Sequence, residues 1–309
     1  MKALFILPFL AALVLATGVH AQPARQLSDQ AFADLEARRF DSAILNFKQY
    51  LAKEPRDASA YFGLGTAYYE TEDFTNAITV LKEARRLDPK MTKAQRILAA
   101  SYYAAKRFQE ASAAYAVVVN DAPNDADSWI YLGNSLDYIG KLPEAIAAYN
   151  RAVELSPTDP EAWCEMGVAY YRGNRFAEAR DPLKKCLDLD PSAEKEKGLL
   201  ANSYYNNGEY ENAAGLYRAI VEKKPKDAVT HKYLGDAYFK LRQYASAVNS
   251  LKIAIALDPK YVDAVDQLGR AYLAQGDFAS AKGQYARLLE LDKKAAAKFW
   301  EIYIKLGGK

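Results

Sequence analysis

Residues 126–159 read ADSWIYLGNSLDYIGKLPEAIAAYNRAVELSPTD. In the first half, Trp129, Leu132, Gly133 and Leu136 fall at i, i+3, i+4 and i+7, one face of an α-helix. In the second half, Leu142, Ala145, Tyr149 and Ala152 mark one face of another helix. Gly140 sits between the two patterns, where a helix ends in a left-handed residue. Pro157 closes the stretch, because it lacks an amide hydrogen and its ring blocks continuation of a helix. Two helices lying this close need small side chains where their backbones approach, and Gly133 and Ala145 supply them.

The same pattern extends in both directions. Pro55, Pro89, Pro123, Pro157, Pro191, Pro225 and Pro259 stand 34 residues apart without deviation. A fixed period of this size marks a repeat architecture. Leu64-Gly65, Leu98-Ala99, Leu132-Gly133, Met166-Gly167, Leu200-Ala201, Leu234-Gly235 and Leu268-Gly269 form one column. Tyr68, Tyr102, Tyr170, Tyr204, Tyr238 and Tyr272 form the next, with Leu136 as the exception. A small column runs through Ala43, Ala77, Ala111, Ala145, Ala179, Ala213, Ala247 and Ala281. Gly208, Gly276 and Asn174 occupy the column of Gly140.

These columns, W/Y-x2-L-G/A-x2-Y, then A-x3-F/Y/L, then P, resemble the tetratricopeptide repeat. The expected fold is all-α: a right-handed superhelical solenoid of about eight helix-turn-helix repeats, at about 24–57, 58–91, 92–125, 126–159, 160–193, 194–227, 228–261 and 262–293. The first repeat is degenerate, with Gln30-Ala31 for Leu-Gly and Asp34 for the column tyrosine. In the eighth, Lys293 stands where the proline belongs, so the helix is expected to run on. Residues 295–306 are expected to form a capping helix, with Phe299, Tyr303 and Leu306 covering the last repeat. Residues 22–309 are read as a single solenoid domain. Half of the residues are apolar, ample for a continuous core.

Charge is nearly balanced, with 41 Lys and Arg against 39 Asp and Glu, which argues against nucleic acid or an anionic membrane as partner. Residues 1–21 read as a secretory signal peptide: Lys2, an apolar run over 3–16, and Val19-His20-Ala21 as cleavage site, leaving Gln22 first. The alternative is an uncleaved N-terminal membrane anchor. The junction Ala21-Gln22-Pro23-Ala24 has the style of Gram-negative exported proteins, pointing to a periplasmic or secreted protein. No later stretch is long enough to span a bilayer.

Little in the mature sequence suggests catalysis. His231 is the one histidine after the leader, which excludes a His-rich metal site and reads as a packing residue in the column of Trp129 and Trp163. No phosphate- or dinucleotide-binding glycine motif occurs, so no cofactor or metal is expected, and the chain is read as no enzyme. Cys164 and Cys186 lie on the two helices of the fifth repeat at similar height. They are either a disulfide, in an oxidising compartment, or two buried thiols at small-residue positions.

The resemblance implies a concave groove lined by the first helix of each repeat. Residues one after the tyrosine column would project into it: Tyr69, Tyr103, Asp137, Tyr171, Tyr205, Phe239 and Leu273. The rings are either anchors for a partner or stack between helices. Arg172, Lys195, Lys232 and Lys240 join Asn202 and Asn206 as a basic–amide cluster, which would favour an acidic peptide or an anionic glycan. A carboxylate clamp of the kind some co-chaperones of this family use begins to match at Arg96 and Asn134 but fails at Ala100, Glu161 and Glu165. The expected function is a non-catalytic interaction scaffold in the bacterial envelope that binds a protein or an extended peptide. A glycan-binding component of a polysaccharide secretion system is the alternative.

Overall fold

The structure is a computed structural model, and it describes residues 24–308. The expected leader and its cleavage site lie outside the described residues. The chain divides into two compact units, before and after the bond between Pro157 and Thr158. The first unit holds α1 (24–36), α2 (Phe40–Leu51), α3 (Ala58–Glu70), α4 (Phe74–Leu87), α5 (Thr92–Ala104), α6 (Phe108–Asp121), α7 (Ala126–Tyr138) and α8 (Leu142–Leu155). The second holds α9 (Pro160–Arg172), α10 (Phe176–Leu189), α11 (Glu194–Asn206), α12 (Tyr210–Lys223), α13 (Ala228–Lys240), α14 (Tyr244–Leu257), α15 (Val262–Gln275), α16 (Phe278–Leu291) and α17 (Lys293–Lys305). No strand occurs among the described residues, and no helix is long and apolar enough to cross a membrane.

The proline ladder acts one residue ahead of itself. A residue before proline is pushed out of the helical region. Asp88, Ala122, Ser156, Asp190, Lys224 and Asp258 accordingly end their helices with φ between −135° and −124°. Two residues beyond the proline, Asp57, Asp125, Asp159 and Asp227 accept hydrogen bonds from the first amides of the next helix. The turn inside each repeat is equally regular. Arg38, Glu72, Lys106, Gly140, Asn174, Gly208, Arg242 and Gly276 all have positive φ, from 57° to 83°. The left-handed position therefore recurs in all eight repeats, although half of them carry an ordinary residue there.

The glycine column marks close approach. A Cβ on Gly65, Gly133, Gly167 or Gly235 would come within 2.4–2.6 Å of Leu81, Tyr149, Leu183 or Leu251, each sixteen residues on. Those partners are themselves fully buried. Trp129 Nε1 and His231 Nε2, in one column, donate to the carbonyls of Pro123 and Pro225 at 3.0 Å in both cases. His231 is thus a buried rung between helix and inter-repeat turn.

Three features depart from the sequence reading. The eighth repeat does not run on past Leu291. Asp292 breaks the helix with φ −154°, and its carboxylate accepts from the amides of Lys294 and Ala295, which starts α17 at Lys293. Leu306 does not cover the last repeat: it follows the end of α17 and is 54% exposed, while Ala296, Phe299 and Tyr303 form the buried face. Asp34, the substitute for a column tyrosine, is a buried hub. It accepts from Gln30 Nε2, Arg39 Nε and Nη2, Ser42 Oγ and Asn46 Nδ2 at 2.5–3.0 Å. These donors hold its carboxyl well below the usual range, at about 2, with the Ser42 and Arg39 bonds foremost.

Candidate functional site

Each proposed groove ring meets the ring that begins the second helix of its own repeat. The pairs are Tyr69 with Phe74, Tyr103 with Phe108, Tyr171 with Phe176, Tyr205 with Tyr210 and Phe239 with Tyr244, with centroids 5.3–5.8 Å apart. All five groove rings are half-buried. One side of each therefore braces the turn within its repeat, and the other side faces out. Burial raises the hydroxyl of Tyr205 to about 12, with the charge of Asp236 adding to it.

In the first unit, Asp137 interrupts the ring column, but its neighbour restores it. Tyr138 stacks on Phe108 at 4.2 Å and lies 6.3 Å from Tyr103; Tyr131 lies 5.3 Å from Tyr103 and stacks on Tyr115 at 5.6 Å. Tyr138 is 52% exposed. Tyr131 and Tyr138 are not in the ring column that the sequence singles out. Tyr138 directly follows Asp137, the residue that interrupts the ring column, and that adjacency is the signal the sequence carried.

In the second unit, the basic–amide cluster is largely engaged within the protein. Asn202 turns inward: Oδ1 accepts from the buried Tyr217 hydroxyl at 2.6 Å, and Nδ2 lies 3.4 Å from the Tyr171 hydroxyl. Asn134 accepts from Tyr149 in the same way. Asn206 is exposed and donates to the Asn202 carbonyl at 2.8 Å. Lys195 is exposed, 3.9 Å from Glu196. Arg172 is exposed at the end of α9, and with Lys195 it draws down the Glu165 carboxyl that burial pushes up. Lys232 is paired with Asp236 at 2.8 Å, and both side chains are largely buried. Burial pushes the Asp236 carboxyl up against the pull of Lys232, while the pairing holds Lys232 above its ordinary value against the same burial. The nitrogen and the carboxylate oxygen lie at hydrogen-bond distance, 2.8 Å.

Lys232, Asp236, Phe239 and Lys240 of α13 line an open cavity of about 630 Å³ with Tyr205 of α11, Asp263, Asp266, Gln267, Arg270, Leu273 and Ala274 of α15, Ile302 of α17, and Leu306. Every contributing helix is the first of its repeat or the capping helix. Its lining combines apolar side chains, Phe239, Leu273, Ile302 and Leu306, with charged ones. Arg270 closes on Asp266 at 2.6 Å, the mirror of the Lys232–Asp236 pair on the neighbouring helix. Of the residues expected in the groove, Tyr205, Phe239, Lys232 and Lys240 are thus brought to one cavity, while Arg172, Lys195, Asn202 and Asn206 are not among its walls. The carboxylates of Asp236, Asp263 and Asp266 went unnoticed in sequence, although the four-residue spacing of each ion pair on a helix was legible. Among the described residues no cluster of side chains is arranged to hold a metal ion.

Cys164 on α9 and Cys186 on α10 are joined by a disulfide, with Cα atoms 4.9 Å apart. The separation falls in the range a bridge requires. Pro182 stands inside α10, four residues before Cys186.

Family models described as the tetratricopeptide repeat match residues 29–92, 70–132, 160–193, 198–229 and 267–305, and a model described as the TPR repeat matches 138–173 and 235–276. No curated protein matches the chain in sequence. Among solved structures, the C-terminal part of a TPR repeat-containing protein from Cytophaga hutchinsonii is 20% identical, with a TM-score of 0.66 over 78% of this chain and 99% of that one. A MamA protein is 25% identical, with a TM-score of 0.53 over 57% of this chain and 96% of its own. MamA from Desulfovibrio magneticus RS-1 is 22% identical, with a TM-score of 0.51 over 55% and 96%.

Proposed function

Because the chain belongs to the tetratricopeptide-repeat family, we propose that it is a non-catalytic scaffold that grips an extended segment of a partner protein along its first helices. The observation that carries this reading is the cavity of about 630 Å³ in the second unit. It offers half-buried rings and paired charges to one open face, the mixture that recognises a peptide with apolar and polar side chains. We further propose that the protein is exported and works in an oxidising compartment, the bacterial envelope, with its N-terminus cleaved before Gln22. The Cys164–Cys186 bond supports that setting, since such bonds persist where thiols are not kept reduced.

Two measurements test the reading. A photo-crosslinking residue at Tyr205 or Lys240 should trap a protein partner in cells, and one at Ile253, exposed on α14, should not. Equal trapping at all three positions would assign the partner to another surface. N-terminal sequencing of the protein from the envelope fraction should begin at Gln22. Retention of Met1 in a soluble cytosolic protein would remove the export proposal.

A further inference from the structure

Resting on that scaffold reading, we propose that the cavity between α13, α15 and α17 receives a basic side chain, lysine or arginine, flanked by an apolar residue of the partner segment. Balance of unmet demand leads to this class. The two inner cations are engaged: Lys232 holds Asp236 and Arg270 holds Asp266. Lys240 is exposed at the rim. The carboxylates are not saturated. Asp236 is only 6% exposed, and its Oδ1 is buried without a hydrogen-bond partner. Asp263 is exposed on the wall and has no ion-pair or hydrogen-bond partner among the described residues. Burial foremost pushes the Asp236 carboxyl up, and Asp263 is close enough to add to that, while Lys232 and Lys240 act in the opposite sense.

A second, polar cavity of about 380 Å³ shares Asp263, Asp266 and Arg270 and continues toward Asp292, Lys294 and Lys298, so its far end is of mixed charge. What Asp236 Oδ1 and the Asp263 carboxylate lack is a hydrogen-bond donor, and a lysine or arginine head supplies one together with its charge. The aliphatic stem of either residue, and an apolar neighbour, would lie on Phe239, Leu273 and Leu306. This reverses, at this cavity, the acidic partner that the basic–amide cluster of the sequence suggests.

The test uses blocked pentapeptides, acetyl-Ala-Leu-Lys-Leu-Ala-amide and its Lys→Glu counterpart, titrated onto the full chain and followed by NMR. The lysine peptide should bind at least about tenfold more tightly than the glutamate peptide, with a preference that shrinks as salt rises. Asp263→Asn, on the exposed wall, should remove most of that preference and leave the helical circular dichroism unchanged. Preference for the glutamate peptide, equal binding, no binding of either, or an unaltered preference in Asp263→Asn would each overturn the assignment. Crosslinking at Tyr205 and Lys240 reads the scaffold separately. Partner segments trapped there that lack lysine and arginine would remove the basic class while leaving the scaffold intact.

Discussion

Arg242 and Gly208 hold the same backbone shape, φ 59° and 83°, with different side chains. A left-handed conformation costs an L-residue roughly 1–2 kcal/mol that glycine avoids. Glycine in turn loses roughly 0.5–1 kcal/mol more through the freedom of its unfolded chain. Arg242→Gly should therefore raise stability slightly, by under about 1 kcal/mol, and Gly208→Arg should lower it by a similar amount, both read by urea titration. Two shifts of the same sign would show that this column is not under steric control. Asp34 makes a second prediction at this scale. Its folded pKa of about 2 lies below the ordinary aspartate value of 3.8. Its contribution to stability is therefore complete above that ordinary value and is lost as pH falls from about 4 toward 2. Asp34→Asn should lower the melting temperature at pH 7, because an amide nitrogen would meet a ring of donors, and should flatten the acid limb of melting against pH. Parallel acid limbs for the two proteins would remove Asp34 as their cause.

Pairs of helices are the next scale, and here contacts sixteen residues apart control the spacing. Gly167→Leu would drive a side chain into Leu183, whose Cγ lies 2.6 Å from the new Cβ and whose backbone nitrogen lies at 3.0 Å. Overpacking at this site should cost about 1–3 kcal/mol, and hydrogen exchange should show the loss first in α9 and α10. An unchanged denaturation midpoint would show that the two helices can part freely. The same pair carries the disulfide. Pro182 deprives α10 of one internal hydrogen bond, and the bond from Cys186 to Cys164 ties the weakened helix to its partner. Replacing both cysteines by serine should lower stability by about 2–4 kcal/mol, read by denaturant titration of the purified protein. If a reducing agent leaves the wild-type midpoint where an oxidant leaves it, the bridge does not support α10. How the helix pairs sit was legible from the proline and glycine columns, because those residues act through their own backbones. The left-handed turns at Arg38, Glu72, Lys106 and Arg242 were not, because the surrounding repeat imposes them on residues without that preference. Asn202 was misplaced for a related reason: its face on the helix points outward by periodicity, and only Tyr217 on the neighbouring helix turns its amide inward.

Along the chain, six of the seven ladder prolines mark helix ends in one way. A helix stops at the residue before a proline, and an aspartate two residues after it often starts the next. Stability in such an array is close to a sum of repeats and nearest-neighbour terms. The groove chemistry follows no such rule. The ladder shows where a side chain lies along the chain, but not whether Lys232 spends its charge on Asp236. The recurring seam has a hereditary consequence. Removal of residues 90–123 joins Pro89 to Asn124 and keeps Asp125 two residues after a proline, so α4 meets α7 across a seam of the usual kind. That shortened protein should fold with undiminished helicity per residue, whereas removal of 90–119, out of step with the period, should not; circular dichroism of the pair decides it. A gene built this way can lose or double one period and still encode a folded product. What such an event alters is the order in which side chains such as Tyr103 and Tyr138 are presented, so new binding surfaces can arise by changes of copy number before any codon is substituted.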